Sequence, residues 1–251
     1  MLSPLVSVPG KNLTSPMRIR VDLLPSPPYE GTVVLVDVLR SCTLAPILFD
    51  NGLSRLTITS SAKLARMNHS EHLLIGEREG FPLEGFNYGC SPSELSQIDL
   101  KGQRAIMVSE NAPRALETMG RPKRVLLASL YNVTAVAKRI LDLASTSTTL
   151  ICSGFNGAED LDDALTAGFL AARLKSLTPE TSLEGAGNFC VSLLRAFPDP
   201  LEALWQSIAG HSLRRLRRDE DLAFASLIDQ STKVPIMQHA SGINRLYEFE
   251  I

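Results

Sequence analysis

The sequence has few cysteines and histidines, and they are scattered along the chain. It contains four of each among 251 residues, with no Cys-x-x-Cys pair and no Cys/His cluster. A disulfide framework and a structural zinc site both need groups of such residues at short spacing, so neither is expected. We predict reduced and mostly buried thiols at Cys42, Cys90, Cys152 and Cys190.

Long apolar runs and a strong charge of either sign are also missing. No apolar stretch approaches the roughly 20 residues of a membrane-spanning helix. The first residues, MLSPLVSVPGKN, lack the charged start and apolar core of an export signal. The formal net charge of −2 gives no reason to expect nucleic acid or an anionic membrane as a partner. The basic run at 214–218 adjoins the acidic residues 219–221, which indicates a self-neutralising helix end. We therefore expect a cytoplasmic protein that binds neither nucleic acid nor a membrane.

Several phosphate-binding and hydrolase motifs are absent. There is no Walker A motif and no Gly-x-Ser-x-Gly elbow, and Gly185-Ala186-Gly187 lacks the third glycine of a dinucleotide fingerprint. No arginine lies six positions after a cysteine, as a cysteine-dependent phosphatase loop would need. Asp37 stands where an aspartyl-nucleophile phosphatase has its first aspartate, but Leu39 replaces the second. With these motifs excluded, a phosphate-binding or hydrolytic site in this chain would use a less common arrangement of residues.

Short β-rich runs alternate with helical patterns along most of the chain. The run Thr32–Val38 is almost continuously apolar and β-branched, which is typical of a strand buried on both faces. Further strands are predicted at 17–23, 55–59, 73–76, 104–108, 124–128, 148–152 and 234–237, and helices at 39–49, 61–68, 113–119, 133–143, 161–174, 189–196, 200–209 and 219–227. This alternation favours an α/β fold with three layers, α/β/α, around a largely buried mixed sheet. We expect a lead-in with the first strand at 1–30 and a single domain at 31–251, with one candidate seam near 176–187.

Polar side chains follow the predicted strand ends. Asp37 and Arg40 stand at the carboxyl end of the most apolar strand, where open α/β sheets place ligands. An aspartate there can hold a hard cation such as Mg²⁺, and an arginine can bind phosphate or sulfonate through two parallel hydrogen bonds. The alternative explanation is a structural Asp–Arg pair.

The next strand end carries Gly76-Glu77-Arg78-Glu79-Gly80, and Ser91-Pro92 follows it closely. Ser91 is predicted to cap a helix with Pro92 at its first position, which leaves backbone amides free for an anion. The alternative is a charged surface turn with ordinary capping.

Polar residues also follow the later predicted strands. Asn111 precedes one predicted helix, and Ser129 and Asn132 precede another, which we expect Asn132 to cap. A turn containing Gly154 leads into an acidic run that the helix dipole favours, and one of its members can face the same cleft: Glu159, Asp160, Asp162 and Asp163.

Taken in order, these segments resemble the 2-phosphosulfolactate phosphatases. The similar segments, with the family's pattern in brackets, are Asp37–Ser41 (D-V-L-R-A/S), Gly76–Arg78 with Gly85–Pro92 (G-E-R … G-F-x-x-G-N-S-P), Asn111–Leu116 (T-T-N-G-T-x-A-L), Ser129–Asn132 (G-S-F-x-N-A) and Cys152–Gly168 (C-A-G-x-x-G … E-D-x-x-A-G). Gly210, Asp221 and Val234-Pro235 resemble the family's C-terminal pattern. The likeness runs from about Val33 to Pro235.

The resemblance implies an α/β/α fold and the magnesium-dependent hydrolysis of 2-phosphosulfolactate to sulfolactate and phosphate, a step of coenzyme M biosynthesis. In such an enzyme we predict catalytic roles for Asp37, Arg40, Glu77 and Arg78. We predict phosphate-binding roles for Ser91, Asn111, Ser129, Asn132 and Gly154, and Mg²⁺ ligands at Asp37, Glu77 and Asp163. Asp37 would be a metal ligand or the nucleophile, and Glu77 or Asp163 a ligand or the general base. The expected partner is a small anionic phosphomonoester, and a homodimer is one candidate assembly.

The chain departs from the family in one loop. Ser109-Glu110-Asn111-Ala112-Pro113 replaces T-T-N-G-T, which removes a glycine and two threonines and adds a carboxylate. Cys90 also replaces the asparagine of G-N-S-P. If Glu110 faces the cleft, we expect it to repel a phosphate ester that also bears a sulfonate. Two hypotheses follow: a phosphomonoesterase with an altered substrate, and a catalytically degenerate anion-binding protein of the same fold.

Overall fold

The computed structural model describes residues 16–29, 31–120, 122–143, 145–241 and 245–251. Over these ranges the chain forms a sheet of eleven strands. Their bounds are β1 Arg18–Asp22, β2 Thr32–Val36, β3 Arg55–Thr59, β4 Leu73–Arg78, β5 Phe81–Pro82, β6 Arg104–Val108, β7 Arg124–Ala128, β8 Ser147–Cys152, β9 Ser182–Gly185, β10 Ile236–Ser241 and β11 Leu246–Glu250. The α-helices in the same ranges are α1 Ser41–Asp50, α2 Ala62–Met67, α3 Pro92–Leu95, α4 Asn111–Thr118, α5 Val133–Asp142, α6 Leu161–Leu177, α7 Gly187–Ala196, α8 Pro200–Gln206, α9 Ile208–Arg215 and α10 Asp219–Ala225.

The sheet is mixed, with the strand order β5-β4-β6-β3-β11-β10-β7-β2-β8-β1-β9. Strands β4, β6 and β3 form one parallel section, and β7, β2, β8, β1 and β9 form another. The hairpin β10–β11 pairs antiparallel with β7 on one side and with β3 on the other, and so joins the two sections. The predicted α/β fold with a mixed, helix-covered sheet is confirmed.

Strand β2 shows how helices cover both faces. All five of its residues are buried, and successive side chains point to opposite faces of the sheet. Val34 and Val36 belong to a core cluster with residues of α5 and α6, whereas Val33 and Leu35 belong to a second cluster with residues of α1 and α4. A strand with two buried faces needs a continuous apolar sequence, and β2 has one.

Besides the two-residue strand β5, which was not predicted, the structure differs from the predicted elements in three places. Strand β9 (SLEG) was not predicted because it is short and largely exposed; its pairing with β1 makes part of the candidate seam at 176–187 a strand of the main sheet. Strand β11 was not predicted either, and it pairs with β3. The predicted helix at 200–209 is two helices, because Ser207 is extended and its side chain accepts a hydrogen bond from the amide of Gly210 as the cap of α9.

The remaining predictions concern the cysteines, the N-terminal residues, the first strand and membrane-spanning helices. All four cysteines are free and buried, as predicted. The expectation about an export signal falls on residues that lie outside the described ranges. The strand of the predicted lead-in, β1, lies between β8 and β9 in the sheet. Across the described part of the chain, no helix has the length and apolar character needed to cross a membrane.

Candidate active site

A cavity of about 330 Å³ lies where β2, β4, β6 and β8 end. Residues that follow these strands line it, and helix α9 forms one wall. Four of the predicted site residues meet here: Asp37, Arg40, Glu77 and Asn111. Chain segments far apart in sequence therefore share one polar cavity.

Arg40 is buried between two carboxylates. Its side chain is 3% exposed; Nη1 donates a hydrogen bond to Asp221 Oδ2 at 2.5 Å, and Nη2 donates one to Glu77. Charge-assisted bonds from two different nitrogens fix the plane of the guanidinium. Asp37 is not among its ion-pair partners, so the pair considered as an alternative explanation is not formed.

Asp221, on α10, contacts the start of α3 as well as Arg40. Its Oδ1 accepts hydrogen bonds from the hydroxyls of Ser91 at 2.6 Å and Ser93 at 2.9 Å. Ser91 also caps α3, as predicted, by accepting a hydrogen bond from the amide of Glu94 at 3.3 Å. The Ser91 hydroxyl is thus engaged by Asp221 and α3, and its contact with phosphate stays a prediction.

Asp37 is a buried carboxylate with one unpartnered oxygen. Its Oδ1 accepts a hydrogen bond from the amide of Ser41 at 3.4 Å, whereas Oδ2 has no hydrogen-bond partner among the described residues. Burial raises the pKa of Asp37 to about 6, although hydrogen bonds from Ser41 act to lower it. An ionised carboxylate here lacks the compensation that a cation would give it.

Asp163 lies beside Asp37, and its neighbours use both of its oxygens. Oδ1 accepts a hydrogen bond from the amide of Val38 at 2.9 Å, and Oδ2 accepts from Ser153 Oγ at 3.1 Å and the amide of Gly154 at 3.0 Å. Burial and then the charge of Asp37 raise the pKa of Asp163 to about 8. Asp163 thus ties the turn that carries Asp37 to the loop after β8.

These raised pKa values couple stability to pH. Both lie above 3.8, the ordinary pKa of an aspartate. Between about pH 4 and pH 8, the folded chain therefore holds protons that the unfolded chain has released. The unfolded state binds fewer protons, so the free energy of unfolding falls as pH rises through this window.

The three predicted Mg²⁺ ligands do not form one ligand set. Within the described ranges, no group of three or more His, Cys, Asp or Glu side chains is arranged to hold a metal ion. Asp37 and Glu77 both line the cavity, and Asp37 keeps an unpartnered oxygen. Mg²⁺ needs only one or two carboxylates when waters and a substrate phosphate fill its other positions. Asp37 and Glu77 fit such an ion, and Asp163 supports the turn behind them.

The altered loop after β6 faces the cavity. Ser109, Glu110 and Asn111 all line it, so the condition that Glu110 faces the cleft is met. Arg78 is exposed, and its Nε lies 3.9 Å from a carboxylate oxygen of Glu110. Asn111 Oδ1 accepts a hydrogen bond from the amide of Asn156 at 3.1 Å, which joins this loop to the loop after β8.

Ser129 and Asn132 lie away from the cavity. Both are fully buried and do not line it. Asn132 Oδ1 accepts a hydrogen bond from the Ser129 amide at 3.0 Å, and Nδ2 donates to the carbonyls of Leu127 and Lys233. The predicted side-chain cap of α5 by Asn132 is therefore wrong, because its oxygen bonds to the preceding turn instead. Phosphate binding by these two residues stays a prediction.

The cysteines nearest the site have unreactive thiols. Cys90 lines the cavity, and Cys42 follows Ser41 at the start of α1. Burial raises the pKa of both thiols well above the ordinary value. Since the thiolate is the nucleophilic form, neither cysteine is suited to attack phosphorus.

Sequence reasoning missed Asp221 and the wall formed by α9. This wall presents Ala209, Ser212 and Leu213 to the cavity. Asp160 holds its start, because its carboxylate accepts hydrogen bonds from the amides of Ile208 and Ala209 at 2.8 Å each. The signal for Asp221 was its place in the matched C-terminal pattern; the acidic run containing Asp160 was explained by the helix dipole alone.

Comparisons with known proteins show the family of the chain. The model of the family described as 2-phosphosulpholactate phosphatase matches residues 19–240. A probable 2-phosphosulfolactate phosphatase of Deinococcus radiodurans is 34% identical over 225 residues, which are 88% of this chain and 93% of that protein. One of Thermus thermophilus is 34% identical over 230 residues, 90% of this chain and 97% of that protein. With this match across most of its length, the chain belongs to the 2-phosphosulfolactate phosphatase family.

Proposed function

We propose that this chain is a magnesium-dependent hydrolase of small phosphomonoesters, with 2-phosphosulfolactate as the reference substrate of its family. The observation that carries the proposal is the unpartnered buried oxygen of Asp37 in a cavity that also holds Arg40 and Glu77. Family membership supports phosphate ester chemistry, and a place in coenzyme M biosynthesis would follow for 2-phosphosulfolactate itself. Cytoplasmic location and a homodimer remain predictions from the sequence.

Asp37 and Glu77 are the side chains that would hold Mg²⁺, and Asp37 is the candidate nucleophile if it is not a ligand. When bound, the ion would neutralise charge on the phosphoryl oxygens and polarise the phosphorus. Arg40 binds a phosphoryl oxygen with its remaining N–H groups, in an orientation set by its ion pairs. Glu77 lies next to this guanidinium and is the candidate base for an attacking water if it is not a metal ligand.

The charges that line the cavity affect which phosphomonoester the chain binds best. Of the described residues that line it, the acidic ones are Asp37, Glu77, Glu79 and Glu110, and Arg40 is the one basic residue. Arg40 already pairs with two carboxylates. A sulfonate would therefore meet like charge near Glu110. We propose that the chain turns over 2-phosphosulfolactate weakly compared with a less anionic phosphomonoester.

The test is phosphate release from a matched pair of substrates. 2-Phospholactate has the skeleton of 2-phosphosulfolactate without the sulfonate, so the ratio of the two kcat/KM values isolates the effect of that group. We expect release from both, with 2-phospholactate favoured, and restoration of the loop by Glu110→Thr, Ala112→Gly and Pro113→Thr should shift the ratio toward the sulfonated ester. A wide preference of the unmodified protein for 2-phosphosulfolactate would show that the altered loop does not change the substrate.

The same assay tests the metal and the catalytic role. We expect activity with Mg²⁺, none in excess EDTA, and none in Asp37→Asn. Asp99→Asn, a change of the same charge on an exposed turn, is the matched control and should keep full activity. If the wild type releases no phosphate from any ester but still binds inorganic phosphate, the alternative of a degenerate anion-binding protein is correct.

A further inference from the structure

We propose that Asp221 is a positioning residue, which holds Arg40 in the orientation that binds the anionic group of the substrate. The inference rests on the proposed function, because it assigns to Arg40 the phosphoryl oxygens. It adds a residue of α10 that was assigned no role by sequence. Asp221 itself does not line the cavity, so it acts through Arg40 and not on the substrate.

The two carboxylates on Arg40 are not equivalent. Asp221 is 1% exposed and lies behind the guanidinium, whereas Glu77 is 21% exposed and lines the cavity. An incoming phosphoryl oxygen can compete with Glu77 for Nη2 from the cavity side. It cannot reach the bond between Nη1 and Asp221. The ion pair with Asp221 is therefore the fixed one, and that with Glu77 is the exchangeable one.

Asp221 is itself held in place. Its Oδ1 accepts hydrogen bonds from two hydroxyls, those of Ser91 and Ser93, which leaves Oδ2 to face Arg40. A carboxylate with both oxygens occupied cannot rotate without losing several charge-assisted bonds. Because Asp221 is fixed, its ion pair also fixes the side chain of Arg40. Without it, Arg40 would lose rotamer freedom when it binds an anion. The entropic cost of orienting Arg40 is therefore incurred during folding and not when the substrate binds.

A purely structural role predicts different behaviour. If Asp221 only attaches α10 to the rest of the protein, its loss lowers stability but leaves the affinity of the folded fraction for anions unchanged. If it positions Arg40, its loss weakens anion binding even in fully folded protein. The affinity for inorganic phosphate separates the two roles, since it does not depend on turnover.

The experiment compares Asp221→Asn with Glu220→Gln. Both remove one negative charge from the first turn of α10, but Glu220 is exposed and Asp221 is buried. In Asp221→Asn, the side-chain amide has two orientations. If its NH2 group faces Arg40, two hydrogen-bond donors meet. If its oxygen faces Arg40, that oxygen no longer accepts the hydrogen bonds from Ser91 and Ser93. We expect at least a tenfold rise in the Kd for inorganic phosphate, measured by calorimetry with Mg²⁺, and a similar rise in KM. Glu220→Gln should stay within twofold of the wild type in both.

Four outcomes decide the inference. A folded Asp221→Asn protein with wild-type phosphate affinity would overturn it. If this variant does not fold, Asp221→Glu, which keeps the charge but moves it by one methylene, must show weaker phosphate binding, and unchanged binding would overturn the inference. If the wild type binds phosphate but hydrolyses no ester, the proposed function fails and the binding comparison still decides Asp221. If the wild type binds no phosphate, Arg40 is not an anion site and the inference falls with it.

Discussion

Replacing Arg40 by lysine should be costly although the charge is kept. The guanidinium of Arg40 reaches Asp221 and Glu77 with two different nitrogens, and a single ammonium group cannot reproduce that fork. Breaking a buried ion pair costs about 3–5 kcal/mol, because it leaves an uncompensated charge. Arg40→Lys keeps one partner, so we expect at least about 2 kcal/mol of lost stability. For a chain of this size, that corresponds to a fall in Tm of about 4–8 °C.

Arg55 offers a matched control for this prediction. It also pairs with two carboxylates, those of Glu248 and Glu250, but its side chain is 41% exposed. Exposed pairs contribute about 0–1 kcal/mol, so Arg55→Lys should barely change the urea unfolding curve. Phosphate release should fall in Arg40→Lys nearly as far as in Arg40→Ala, and stay unchanged in Arg55→Lys. Equal stability and equal kinetics of the two lysine variants would refute the argument from the buried fork.

Three further predictions concern charge, space and metal. In EDTA, Asp37→Asn should gain about 3 kcal/mol of stability relative to the wild type as the pH rises from about 4 to about 6, since a rise of roughly two pKa units is relieved. A constant difference in urea midpoints over this range would contradict this. Gly80→Ala should destabilise the protein more than Gly102→Ala and should also raise KM. Both glycines have positive φ, but only Gly80 faces the side chain of Leu216, which lines the cavity. Equal Tm values of the two variants would refute this prediction. Mg²⁺ should raise the Tm of the wild type but not that of Asp37→Asn, and an equal shift in both would remove Asp37 from the ligands.

The strands were the most predictable part of the fold. The bounds of β3, β6 and β7 coincide with the predicted ones, because β3 alternates polar and apolar residues, β6 and β7 are short apolar runs, and all three lie between turn residues. Strand β9 escaped prediction since its sequence carries no buried face, and its place at the edge is set by pairing with β1. Such pairing is a property of the whole chain and leaves no local signal.

The candidate site was predictable where it follows strand ends. Asp37, Arg40 and Glu77 stand in local motifs, and the structure brings them into one cavity. The long-range partners were beyond local reasoning: Asp221 is 181 residues from Arg40, and only the folded chain shows that they touch. The predicted cap by Asn132 failed for a local reason, because its side-chain oxygen accepts a hydrogen bond from the amide of Ser129 in the preceding turn.

The C-terminal hairpin has a consequence for the order of assembly. Arg40 follows β2 in one parallel section, and Glu77 ends β4 in the other. In the described part of the chain, the strand pairing that connects these sections runs through β10 and β11, which leave the ribosome after every other element described. The two halves of the cavity can therefore form early as separate units, but their backbones are bonded into one sheet only after β10 and β11 have been synthesised. During translation, the nascent chain carries Arg40 after one parallel section and Glu77 in the other, and β10 and β11 then join the two.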